Sequence, residues 1–187
     1  AYSSCIIHCM IYIALLRGIN VGGNCRVEMS RLKTLFENLG FTEVRTYINS
    51  GNVIFSSDQK DQHKLCQEVE KAIAGEFGFA VPIIIKSASQ LKTIAEAIPK
   101  EAQNNTEMKC DVLFLWDEVD SPNSLKDLDL REGIDEVQYV PGALIWMVSR
   151  EDINKSRLLK IVGTPFYKKV TIRNCNTVRK LLLLTSS

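Results

Sequence analysis

The chain has 187 residues, room for one ordinary domain or two small ones. Hydrophobic residues make up 45% of it and charged residues 24%, which excludes a disordered chain, a collagen-like fibre and a disulfide miniprotein. The 23 basic and 22 acidic side chains nearly cancel, so bulk charge announces neither a nucleic-acid nor a membrane partner, and no apolar run approaches the roughly 20 residues a bilayer span requires.

Ala1–Leu16 carries no Lys, Arg, Asp or Glu. It has neither the basic n-region nor the small-residue cleavage motif of a signal peptide, so residues 1–9 read as a tail ahead of Met10. The six cysteines (Cys5, Cys9, Cys25, Cys66, Cys110 and Cys175) show no CxxC spacing and read as scattered reduced thiols of a cytoplasmic protein. Cys5, His8 and Cys9 lie close together. A zinc site would want a second Cys/His pair, and His63 is the only other histidine, so no metal is expected.

Ile11–Leu16 is a nearly continuous apolar run, which suits a central strand. Arg17 to Asn24 is a loop by its glycines and asparagines. Leu32, Leu35, Phe36 and Leu39 keep helical spacing, and Gly40 stops that helix. Val44–Ile48 and Val53–Ser56 form a hairpin around Asn49-Ser50-Gly51-Asn52. A second helix runs from about Asp61 to Phe77. Val81–Lys86 is a fourth strand, placed on an edge by Pro82, which cannot donate to a ladder. The order βαββαβ with right-handed crossovers predicts a ferredoxin-like sheet of order 4-1-3-2 over residues 10–87.

A linker helix and polar loop follow over 88–109, with Leu91, Ile94, Ala95 and Ile98 as the helix's stripe. The pattern then repeats over 110–187. Asp111–Trp116 is a strand, Ser124–Leu130 a short helix, and Glu136–Val140 with Ala143–Ser149 a hairpin around Pro141-Gly142. A helix is expected over Asp152–Val162 with Leu158, Ile161 and Val162 grouped, then a strand over Val170–Arg173. An extra helix, Asn174–Leu184, closes the chain, and Asn174 or Asn176 should cap it. The expected fold class is α+β: two ferredoxin-like βαββαβ halves plus a C-terminal helix.

The runs ALLRGINVGGN (14–24), VRTYINSGNVIF (44–55) and TIRNCNTVRKL (171–181) resemble the DUF1697 family of uncharacterised proteins over about Met10–Leu182. The resemblance implies a fold of two α+β halves and carries over no catalytic residue. The family's last motif has Trp where this chain has Cys175, and the resemblance implies a packing role there.

In a 4-1-3-2 sheet the C-terminal end of the first strand meets the 2–3 hairpin. Arg17, Asn20, Gly22, Gly23, Asn24, Ser50 and Asn52 therefore form a candidate ligand site of guanidinium, amides, a hydroxyl and accessible backbone N–H groups, apt for a small anionic or phosphorylated ligand. Arg173 and Asn174 are further candidates in the second half. The alternative is that these residues simply build tight turns, the ordinary use of Asn and Gly. The glycines match neither a P-loop nor GxGxxG, so no cofactor is expected. Whether the protein is an enzyme stays open. Cys25 sits beside Arg26, but no base is visible for it or for Ser50.

Charge is uneven along the chain. Ile153–Ser187 holds eight basic residues and no acidic one, whereas Glu107–Glu136 holds ten acidic against three basic. Either the two segments neutralise each other, or the basic segment serves a nucleic-acid or protein partner. Stacking of RNA on a βαββαβ sheet would need exposed rings on the third strand of a half, where Phe55 and Trp146 are the candidates.

Overall fold

A computed structural model describes residues 9–186. The expectations for Cys5, His8 and the segment ahead of Cys9 lie outside them. The chain divides into two compact units, the first ending at Ala88 and the second starting at Ser89.

In the first unit β1 (Met10–Leu16), α1 (Met29–Asn38), β2 (Thr42–Tyr47), β3 (Asn52–Ser57), α2 (Gln62–Phe77) and β4 (Ile83–Ser87) follow in chain order. The four strands form one sheet of order β2-β3-β1-β4, antiparallel at every pairing described. The apolar run therefore lies at the centre and β4 on an edge, the position expected, although the proline on which that expectation rested is not part of the strand. Pro82 falls just outside β4 and contributes its carbonyl, which accepts from Arg17 N–H at 2.9 Å. One face of the sheet packs Tyr12, Ala14, Leu16, Val53 and Phe55 against Leu32, Phe36, Leu65, Val69 and Ile73 of the two helices.

Helix ends follow the local chemistry. After α1, Gly40 N–H donates to Glu37 O and Phe41 N–H to Phe36 O, and the Phe36 and Phe41 rings meet at 5.8 Å. That is the doubly bonded stop with its apolar contact expected of a helix that ends before glycine. Asp61 caps α2, its carboxylate accepting from His63 and Lys64 N–H.

The second unit holds α3 (Ala88–Ala97) from its second residue, then β5 (Met108–Leu115), β6 (Glu136–Val140), β7 (Ala143–Ser149), β8 (Val170–Asn174) and α4 (Cys175–Thr185). Its sheet has the order β6-β7-β5-β8. The two halves repeat each other bond for bond at one end. Leu16 N–H donates to Gly51 O at 2.9 Å, and Leu115 N–H to Gly142 O at 3.0 Å. Arg17 N–H donates to Pro82 O, and Trp116 N–H to Lys169 O. In each half the last strand runs straight into a helix, α3 after β4 and α4 after β8.

The segments between the second unit's strands depart from expectation. Ser124–Leu130 is a 3-10 stretch, Pro122–Asp127, entered through Ser121, whose hydroxyl accepts from Asn123 N–H. The helix expected over Asp152–Val162 is two short 3-10 turns, Ile153–Lys155 and Leu158–Ile161, broken at Ser156 (φ −60°, ψ 142°). The cause is tertiary. The buried Asp135 carboxylate accepts from Ser156 Oγ and Arg157 N–H, and this pulls the backbone out of helical register. The three-residue period then buries Leu158 and Ile161 and leaves Val162 exposed.

Asn174 caps α4: its Oδ1 accepts from Thr177 N–H at 2.9 Å. Asn176 points elsewhere, donating to Asn104 O at 3.0 Å. Asn174→Ala should therefore destabilise the second unit by about 1 kcal/mol, read as a lower urea midpoint.

Candidate functional site

The rim where β1 ends is built by backbone turns. Asn20 N–H donates to Cys25 O, and Asn24 N–H to Val21 O, so Val21–Asn24 folds back as a tight hairpin. Gly22 and Gly23 supply the two consecutive left-handed residues this turn requires (φ 60° and 79°). Asn20, itself left-handed at φ 54°, staples three segments. Its amide donates to Val27 O at 3.0 Å and to Asn49 O at 2.9 Å, and its oxygen accepts from Val27 N–H at 2.8 Å. Both amide hydrogens are thus committed. Asn52 is fully buried and donates to Tyr47 O and Ser50 Oγ, which closes the β2–β3 hairpin.

For Asn20, Gly22, Gly23 and Asn52 the turn-building reading accounts for the contacts observed. The two loops do meet, through the Asn20–Asn49 bond. What their meeting creates is a polar cleft of about 670 Å³ lined by Asn20, Gly23, Asn24, Arg26, Val27, Glu28, Met29, Arg31 and Asn49. Gly23 and Asn24 are the predicted residues that line it besides Asn20. Arg17, Gly22, Ser50 and Asn52 do not, and Arg17 is half-buried on the same rim.

Sequence reasoning did not select the two cations of this cleft, Arg26 and Arg31. The Gly22-Gly23 pair was the available signal, because a two-residue turn returns the chain and carries Arg26 back beside Asn20. Arg31 is engaged: it pairs with Glu76 and lies 5.0 Å over the Phe77 ring. Arg26 is exposed, and among the described residues its guanidinium has no hydrogen-bond or ion-pair partner. Glu28, at the entry to α1, accepts from Ser30 Oγ at 2.6 Å and does not cap the helix with its side chain. Ile48, just before Asn49, is a β-branched residue held left-handed (φ 49°) and is 48% exposed. Such strain at a loop tip is a feature of functional rims.

Arg173 and Asn174 belong to the second unit. Arg173 is buried and donates to Thr171 Oγ1 at 3.0 Å and Ile172 O at 2.9 Å, and burial lowers its pKa to about 10. Asn174 is the α4 cap. The basic segment is largely spoken for: Arg157 pairs with Asp129, Lys169 with Glu118 and Lys155 with Asp152, while Arg179 donates to Pro99 O and Ala102 O. Asp129 and Glu118 lie in the acidic segment, so the two segments neutralise each other in part. Phe55 and Trp146 are both buried in their cores and present no ring for stacking. Among the described residues no group of three or more His, Cys, Asp or Glu is placed to hold a metal. No described helix is long and apolar enough to cross a membrane.

The profile of a family described as a protein of unknown function, DUF1697, matches residues 10–146. Among solved structures, a conserved bacterial protein, SP0830 from Streptococcus pneumoniae, is similar at 28% identity and a TM-score of 0.80, over 94% of this chain and 98% of that one. No curated protein matches the chain.

Proposed function

We propose that this chain, which belongs to the DUF1697 family, binds a small phosphate-bearing anion in the cleft between the Asn20–Met29 loop and the β2–β3 hairpin. The observation that carries the reading is Arg26, an exposed guanidinium without a protein partner among the described residues, on the wall of a polar cleft of ligand size. The first turn of α1 opens on the same cleft and adds N–H groups of favourable polarity. Asn24 supplies a side-chain amide, and the Glu28 carboxylate supplies acceptors for ligand hydroxyls. The reading treats each half as a ferredoxin-like unit, supported by the strand orders, and places the protein in the cytoplasm, supported by the described cysteines all being free thiols.

Calorimetric titration with inorganic phosphate, pyrophosphate and a nucleoside monophosphate tests it. At least one should bind, and Arg26→Ala should weaken that binding tenfold or more, since a charge-assisted hydrogen bond is worth about 1.5–3 kcal/mol. Arg26 is exposed, so the melting curve should not move. No binding by any of the three, or binding indifferent to Arg26→Ala, would retire the site.

A further inference from the structure

We infer that Cys110 and Cys175 form a dithiol pair that closes to an intramolecular disulfide under an oxidising thiol–disulfide poise, joining β5 to the first residue of α4. The register places them. β5 and β8 pair antiparallel, the register ending with Asp111 opposite Asn174, and Cys110 and Cys175 are the residues immediately beyond that last pair, Cys110 within β5 and Cys175 at the start of α4. Asn174 keeps extended backbone (φ −69°, ψ 156°), so the step into Cys175 continues the strand geometry. Opposed residues in an antiparallel pair have Cα atoms about 4.5–5.5 Å apart and side chains on one face. That is inside the roughly 4.4–6.8 Å a disulfide bridges.

The side chains agree with the backbone. Both cysteines are fully buried and free. Burial, first, and then the neighbouring Cys175 push the Cys110 thiol above its ordinary pKa. Arg179 Nη1 stands 3.8 Å from Cys175 Sγ. Arg179 also holds Ala102 O and Pro99 O, and Asn176 holds Asn104 O, so the start of α4 is fixed against the 99–104 loop. Cys9 and Cys25 are exposed and meet oxidant more readily, but both are free among the described residues.

With oxidised glutathione the step balances. One protein thiolate attacks a glutathione sulfur, which forms a mixed disulfide and releases one glutathione thiolate. The second protein thiol loses its proton to solvent and displaces the other glutathione. Two protein thiols are oxidised by two electrons, and one glutathione disulfide is reduced to two thiols.

The test equilibrates the full chain in glutathione buffers of graded ratio, blocks free thiols and maps tryptic peptides by mass. A second sample is unfolded in urea and refolded in the same buffers, which removes burial as a kinetic barrier. The expected product links peptide 110–126 to peptide 174–179, two hydrogens lighter than the separate peptides. Closing the intervening loop should raise the second unit's melting midpoint by about 5 °C or more. Cys175→Ser should abolish both the link and the shift. Separate or mispaired 110–126 and 174–179 peptides in the refolded, oxidised sample would overturn the inference, as would a link that lowers the midpoint.

Discussion

Asp135→Ala should destabilise the second unit by about 3–5 kcal/mol, because it leaves several buried donors unsatisfied at once. The carboxylate is 9% exposed and accepts from Trp146 Nε1, Arg131 N–H and Arg157 N–H, each at 3.0 Å, and from Ser156 Oγ. Removing it strands an indole N–H on a fully buried ring and releases the segment that Asp135 holds out of helical register. The lost burial energy of an alanine-sized gap is the smaller part. Burial pushes the Asp135 pKa up, but the four hydrogen bonds together outweigh it and hold the group below its ordinary value. A carboxyl depressed in the folded state contributes stability that is fully present above the unfolded value near about 4 and is lost as pH falls through the folded value. Thermal melts followed by tryptophan fluorescence should therefore show the wild-type midpoint falling with acidification below about pH 4, and Asp135→Asn should flatten that fall while lowering the neutral-pH midpoint. An Asp135→Ala midpoint within about 2 °C of wild type would contradict the role assigned to this carboxylate.

The same residue explains why part of the fold could not be read from sequence. Leu158, Ile161 and Val162 fit a helical stripe, and local propensity offers nothing against it. What decides the segment is an acceptor more than 20 positions earlier in the chain, at Asp135, which takes the Ser156 hydroxyl and the Arg157 amide. Where the determinants are local, the reading and the structure coincide. Ile11–Leu16 and Val112–Leu115 are apolar on both faces and lie inside their sheets. Gly40 ends α1, and Asn174 begins α4. The candidate site divides in the same way. Its loops were legible because topology brings them together. Its cations were not, because Arg17 and Arg26 look alike in the sequence. Only the Val21–Asn24 reversal, together with the Asn20 staple to Val27, decides which of them lines the cleft.

Gly51→Ala should be the most damaging small change at that rim, costing about 2–5 kcal/mol. Gly51 is left-handed (φ 83°), which for a residue with a Cβ costs about 1–2 kcal/mol. The added Cβ would also stand 2.7 Å from Ile19 Cδ1 and 2.8 Å from Leu16 Cβ. The Ile19 methyl can swing away. Leu16 Cβ cannot, because it is fixed to β1 at the point where Leu16 N–H donates to Gly51 O. Overpacking of this kind adds about 1–3 kcal/mol. Gly22→Ala separates the two contributions. Gly22 is also left-handed (φ 60°), but nothing lies within 4 Å of its Cβ position, so it should lose only the conformational part. Moving the Ile48–Gly51 turn away from Leu16 also moves Asn49, whose carbonyl anchors Asn20 and whose side of the turn walls the cleft. Gly51→Ala should thus weaken phosphate-type ligands as well as the fold, whereas Arg26→Ala should weaken the ligand alone. Paired melting and titration of Gly51→Ala, Gly22→Ala and Arg26→Ala distinguish these effects. Equal melting shifts for the two glycine variants would remove the steric argument, and unimpaired ligand binding by folded Gly51→Ala would detach the hairpin from the cleft.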